Sequence, residues 1–238
     1  MNKSPVETKE YFNKFNDLVK ESKSKVVLCV PFVDIQVAQE STQNTNISIG
    51  AQNMYYIDSG AYTGEISVKM LKDMNLEYVI IGHSERRQYF NEVDDIVNLK
   101  IKAALENNIK PILCVGETLE QREKGIQNEI ISLQIINALK DIDKEEIKNV
   151  IIAYEPVWAI GTGLAATAID ANNSIIVIRN EIANLYGAEV ANDICILYGG
   201  SIKSENAHEL FSMPDIDGGL VGGASLSPEE FAKIVNSI

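Results

Sequence analysis

Ala153-Tyr154-Glu155-Pro156-Val157-Trp158-Ala159-Ile160-Gly161-Thr162-Gly163 decides how this chain is read. It follows Val150-Ile151-Ile152, an apolar run with the character of a buried strand. That strand delivers a carboxylate, Glu155, directly before Pro156. Proline has no N–H and disfavours helical backbone at the residue before it, so the strand is predicted to stop there. A loop with two glycines and no early helix signal comes next. A carboxylate at a strand exit under such a loop suits a base beneath a lid. A solvated loop-end glutamate carries the same local pattern, so the rest of the chain must decide.

Working outward, strands and helices alternate. Strands are predicted at Lys25–Val30, Ile47–Ala51, Tyr78–Gly82, Pro111–Gly116, Val150–Tyr154, Ile194–Tyr198 and Gly219–Gly222. Ser4-Pro5-Val6-Glu7 opens the first helix, with Ser4 as cap, Pro5 at the first position and Glu7 reaching back. Tyr11, Phe12, Phe15, Leu18 and Val19 then recur at helical spacing. Further helices are predicted near Val33–Ala38, Ile66–Asp73, Asp94–Glu106, Leu119–Leu139, Ala171–Leu185 and Glu205–Phe211. Ser227-Pro228-Glu229-Glu230 repeats the opening cap and starts the last one. The strands are near-continuous apolar runs, as parallel strands covered on both faces require. The pattern is α/β, in one domain over residues 1–238, with seven predicted parallel strands and eight helices. A closed (β/α) barrel needs eight strands, each before its helix, so the first strand is the one unaccounted for. An open doubly wound sheet accommodates seven, but the glycine-rich dinucleotide fingerprint is absent.

The 238 residues carry a formal net charge of −13, which disfavours nucleic acid and anionic membranes as partners. A phosphorylated small substrate stays open, because backbone N–H groups at turns and helix starts can bind it. No run is long and apolar enough to span a bilayer, and the N-terminus has no signal-peptide core. Cys29, Cys114 and Cys195 lie in apolar strand-like runs and read as reduced thiols of a cytoplasmic protein. A reactive Cys114 is the less favoured reading, since no histidine lies near it in sequence.

Chemistry gathers at the strand exits. The third strand ends in Gly82-His83-Ser84-Glu85-Arg86-Arg87, and His83 is one of two histidines; the other, His208, reads as a solvated helix residue. A histidine and a carboxylate at two exits of one sheet suit general acid–base work. The fourth strand ends in Gly116-Glu117-Thr118, the sixth in Tyr198-Gly199-Gly200-Ser201 and the seventh in Gly222-Gly223. Glycines at the late exits suit a phosphate approaching exposed backbone N–H groups; tight turns needing positive φ are the plainer explanation.

Together, Gly50-Ala51-Gln52-Asn53, Gly60-Ala61-Tyr62-Thr63-Gly64-Glu65, Gly82–Arg87, Ala153–Gly163, Tyr198–Ser201, Asp215–Gly218 and Leu220–Gly223 resemble triosephosphate isomerase, in order and across essentially the whole chain. The resemblance implies a TIM barrel and conversion of glyceraldehyde 3-phosphate to dihydroxyacetone phosphate through an enediolate. It assigns Glu155 as the base and His83 as a neutral electrophile, roles that spacing alone does not give. Gly161, Ser201, Gly222 and Gly223 would hold the phosphate, residues 156–166 would form the lid, and Ser84, Glu85 and Cys114 would stand behind the catalytic pair. Thr63 would reach into a partner subunit, implying a homodimer. Neither metal nor organic cofactor is implied.

Two departures stand out. The family opens with a strand ending Gly-Asn-Trp-Lys-Met-Asn, whereas this sequence starts at Met1-Asn2, so the family's catalytic lysine and nearby asparagine are expected to have no counterpart. By analogy with losing an oxyanion-hole donor, that absence would cost about 3–4 kcal/mol of transition-state stabilisation. It would also deprive Glu85 of a cation and leave two open sheet edges. Lys3 is not expected to substitute. Second, Leu164-Ala165-Ala166 replaces the family's usual Lys-Thr-Ala at the far hinge, so the next helix is expected to extend into it and slow closure. A non-catalytic phosphate- or partner-binding descendant, and another phosphate-binding barrel such as a sugar-phosphate lyase or epimerase, remain as alternatives.

Overall fold

Seven strands lie side by side in chain order in a computed structural model that describes residues 1–159 and 166–237. They are β1 (Val26–Val30), β2 (Ile47–Ala51), β3 (Tyr78–Ile81), β4 (Lys110–Val115), β5 (Ile151–Tyr154), β6 (Ile196–Tyr198) and β7 (Gly218–Gly219), and every pairing is parallel. Among the described residues, β1 and β7 each have one hydrogen-bonded neighbour, so the curled sheet is not closed by a ladder. The expected α/β architecture with seven parallel strands is present.

Side chains alternate across the sheet as the pleat requires. Val79 and Ile81 of β3, Leu113 and Val115 of β4, and Ile152 and Tyr154 of β5 pack outward in the main core between strands and helices. Tyr78, Ile80, Ile112, Cys114 and Ala153 face inward and form a second, smaller cluster. Both faces are therefore dry, which accounts for the unbroken apolar runs.

The described helices are α1 (Pro5–Val19), α2 (Ile35–Ser41), α3 (Val68–Asp73), α4 (Ser84–Phe90), α5 (Asp94–Glu106), α6 (Leu119–Glu123), α7 (Gln127–Ala138), α8 (Ala168–Tyr186), α9 (Ala188–Asp193), α10 (Ser204–Phe211) and α11 (Pro228–Val235). The expected eight become eleven for identifiable reasons. Leu119–Leu139 is two helices, because Gly125 turns at φ +71° and breaks the run. The short helices α4 and α9 were not expected at all. The strands predicted at Ile194–Tyr198 and Gly219–Gly222 shorten to three and two residues. The opening cap is as expected: the Ser4 N–H donates to Glu7 Oε2 at 2.8 Å and the Ser4 side chain accepts from the Glu7 N–H. Of the hinge into which the next helix was expected to extend, Ala166 is described and is not helical: Thr167, in extended backbone, accepts the Asp170 N–H at 3.1 Å and starts α8 at Ala168. Leu164 and Ala165 lie outside the described residues.

The helical layer meets where the sheet does not. Helices α1 and α11 pack together, with Phe15 and Phe231 stacked at 5.2 Å. Between them and the edges of β1 and β7 lies a cavity of about 1320 Å³ that continues into the barrel interior beside Val27, Ile112 and Leu197.

Candidate active site

The site assembles at the carboxyl ends of the strands. Glu155 follows β5 and is 2% exposed. Its backbone N–H donates to Val115 O at 2.7 Å, locking it to the β4 exit. Gly116 is a glycine because of this closeness: a Cβ there would sit 1.7 Å from the Glu155 carbonyl oxygen. Gln134 on α7 secures the same residue, accepting the Gly116 N–H and donating to its carbonyl.

The Glu155 carboxylate is held by two donors. Ser84 N–H, at the start of α4, reaches Oε2 at 2.9 Å, and His83 Nε2 reaches Oε1 at 2.9 Å. His83 also accepts the Glu85 N–H on Nδ1 at 3.3 Å. An imidazole that accepts on Nδ1 and donates from Nε2 is the neutral tautomer. Burial pushes the His83 pKa down, but the Glu155 carboxylate outweighs it and the net shift is upward. That rise belongs to the resting arrangement.

Each sequence-predicted residue has a definite place, with one exception. Ser84 is buried and supplies a backbone N–H to the Glu155 carboxylate. Glu85 is exposed, with a carboxylate oxygen 3.8 Å from His83 Nδ1. Cys114 is fully buried; burial and then the nearby Glu155 carboxylate push its thiol well above the ordinary value, which makes it inert packing rather than a nucleophile. Ser201, Gly222 and Gly223 line the same cavity as His83 and Glu155. Among the described residues, no hydrogen bond takes up their backbone N–H groups, and a Cβ at either glycine would meet nothing within 4 Å. Gly161 lies outside the described residues. Thr63 does not line this cavity; it lies in the exposed segment 58–65, next to Tyr62, whose ring packs on Tyr55 at 4.7 Å. Lys3 lies over the Tyr11 ring at 5.0 Å.

Sequence reasoning missed Glu117. It is fully buried at the β4 exit, accepting from Trp158 Nε1 at 2.8 Å, from Tyr154 Oη at 3.2 Å and from Arg122 Nη1 at 3.2 Å. The Arg122 guanidinium also covers the Trp158 ring at 4.7 Å. Glu117 therefore anchors the chain three residues beyond Glu155. Only the Gly116-Glu117-Thr118 strand exit hinted at it.

A family model described as triosephosphate isomerase matches residues 1–238. A triosephosphate isomerase of Thermoanaerobacter pseudethanolicus is 52% identical over 236 residues, covering 99% of this chain and 95% of the relative. One of Clostridium tetani is 52% identical over 218 residues, covering 92% and 86%. One of Clostridium botulinum is 49% identical over 236 residues, covering 99% and 95%.

Proposed function

The chain belongs to the triosephosphate isomerase family, and from that premise we infer how its residues share the work. The activity is glycolytic isomerisation of a triose phosphate, the interconversion of D-glyceraldehyde 3-phosphate and dihydroxyacetone phosphate. The observation that carries the residue roles is the buried Glu155 carboxylate held at 2.9 Å by both His83 and Ser84, in a cavity bordered by three backbone N–H groups that have no hydrogen-bond partner among the described residues.

Ser201, Gly222 and Gly223 donate N–H groups to the phosphate dianion, with Gly161 as a fourth donor from the lid; neutral peptide dipoles suit an anion in a chain of net charge −13. Glu155 takes a proton from the carbon beside the carbonyl. The electron pair moves onto the carbonyl oxygen, and His83 Nε2–H stabilises the resulting enediolate. The hydroxyl proton passes to the former carbonyl oxygen by way of His83 Nε2, and Glu155 returns its proton to the neighbouring carbon, so no net proton is gained or lost. Ser84 and Glu85 hold the resting pair, and Cys114 fills the space beneath it.

One domain spanning residues 1–238 performs this, working in the cytoplasm as a homodimer. Exposed Tyr62 and Thr63, backed by the tilted rings of Tyr55 and Tyr56, form the proposed contact. No described helix is long and apolar enough to cross a membrane.

The test is turnover of glyceraldehyde 3-phosphate by this chain against a Glu155→Gln variant. Removal of the base is expected to lower kcat by roughly 10²–10⁴-fold. Turnover no higher than that of the variant would favour the non-catalytic descendant.

A further inference from the structure

His83 hangs from a residue with little conformational preference of its own. Gly82, between β3 and His83, has φ +73°. Glycine permits that conformation but does not enforce it, because it also populates the alternatives. Something else must hold the turn if the imidazole is to keep a fixed reach.

Two side chains do so from opposite sides. Glu92 Oε1 accepts the Gly82 N–H at 3.2 Å, and Arg87 Nε donates to the Gly82 carbonyl at 2.8 Å. These two groups belong to the peptide planes before and after the Gly82 Cα, so together they set its φ and ψ. We propose that Arg87 and Glu92 are positioning residues for His83, clamping the Gly82 turn from which the electrophile projects. The proposal rests on the isomerase reading above.

Both clamps are themselves anchored. Glu92 is 5% exposed, and its second oxygen receives Lys100 Nζ at 2.6 Å and Arg86 Nε at 2.8 Å. Lys100 is equally buried and donates to Asn53 Oδ1 at 2.8 Å, tying the clamp to the β2 exit. Arg87 donates from Nη1 to Asp94 Oδ1 and from Nη2 to Cys114 O at 3.2 Å, tying it to the strand that locks Glu155 in place. Buried ion pairs add little net stability, because desolvation offsets their attraction. A rigid turn under His83 gives this network a reason to be sited here.

The experiment uses Arg87→Lys and Glu92→Asp, which keep charge but cannot make both contacts with the same geometry. Each is made in the parent chain and in a His83→Gln background. In the parent, kcat is expected to fall roughly 10–100-fold with KM within about threefold, the scale of a slightly misplaced catalytic group. In the His83→Gln background the same change should cost less than about twofold, because the group being positioned is gone. Equal losses in both backgrounds, or unchanged kcat in the parent, would overturn the proposal. Failure of both variants to fold would overturn it too, by showing that the pair holds the fold rather than the turn. If the parent has no isomerase activity the functional reading fails instead. The clamp is then read from the ¹⁵N signals of the two imidazoles: a His83 signal shifted beside an unmoved His208 supports it, and two unmoved signals refute it.

Discussion

Glu155 sits where two backbones almost touch, and that contact sets the tolerance of the site. A Cβ at position 116 would lie 1.7 Å from the Glu155 carbonyl oxygen, so Gly116→Ala must push the β4 and β5 exits apart. Overpacking of this kind costs about 1–3 kcal/mol, and a displacement near 1 Å at a catalytic group can cost about 10²-fold in rate. The variant is expected to fold with a lowered urea midpoint and to lose kcat by that order, measured by steady-state assay. Charge at the same place makes a pH prediction. The folded-state pKa of His83 is raised above 6.5, so its pairing with Glu155 contributes stability that is fully present below 6.5 and lost as pH rises through the raised value. Glu155→Gln removes the main raising partner and leaves burial, helped by Arg86, opposing the weaker pull of the Glu85 carboxylate. His83 should then titrate below 6.5 in an NMR titration, and the difference in melting temperature between parent and variant should shrink as pH rises. A His83 pKa unchanged by the substitution would show that Glu155 is not its partner in solution.

At the scale of elements, Glu117 joins the β4 exit to the β5 exit through Trp158 and to α6 through Arg122. Replacing it by leucine leaves the partly exposed Arg122 guanidinium with Asp170 at 3.9 Å and removes the acceptor for the Tyr154 hydroxyl and the Trp158 indole. Leaving a buried donor unsatisfied typically costs about 1–3 kcal/mol. Glu117→Leu should lower stability to unfolding by urea by that amount and shift Trp158 emission, the chain's sole tryptophan signal. Glu117→Gln, which keeps an acceptor, should lose less. The same network shows where sequence reading stops. Ile47–Ala51 and Asp94–Glu106 were legible to the residue, the strand from its short apolar run and the helix from buried positions at helical spacing. Helix α4 was not, since only Ser84 of its seven residues is buried and no apolar stripe marks it. His83 and Glu155 stood out because each follows an apolar strand. The partners of Glu117 at Tyr154 and Trp158 are 37 and 41 residues away, and Lys100 meets Asn53 across 47, so those contacts are written only in the folded topology.

Across the whole molecule, the sheet and the helical layer close differently. From β1 to β7 each neighbour is tied by a ladder, but the outer edges of those two strands face the cavity, and α1 against α11 is what spans the gap. Stacked Phe15 and Phe231 are the centre of that span. Phe231→Ala should cost about 3–5 kcal/mol, as for other large-to-small core changes, but its distribution should be unusual. An ordinary core truncation weakens a cooperative unit as a whole, whereas this one removes the tie across a line that, among the described residues, no strand ladder crosses. Native-state hydrogen exchange should therefore show the amides of Val26–Val30 losing protection first and furthest. Those of Tyr78–Ile81 and Lys110–Val115, paired on both sides, should keep theirs until global unfolding. The edge of β1 borders the cavity that holds His83 and Glu155, so the opening should also raise KM at temperatures well below the melting midpoint. Uniform loss of protection across all seven strands would mean that the gap is not a line of weakness and that the barrel opens only as one unit.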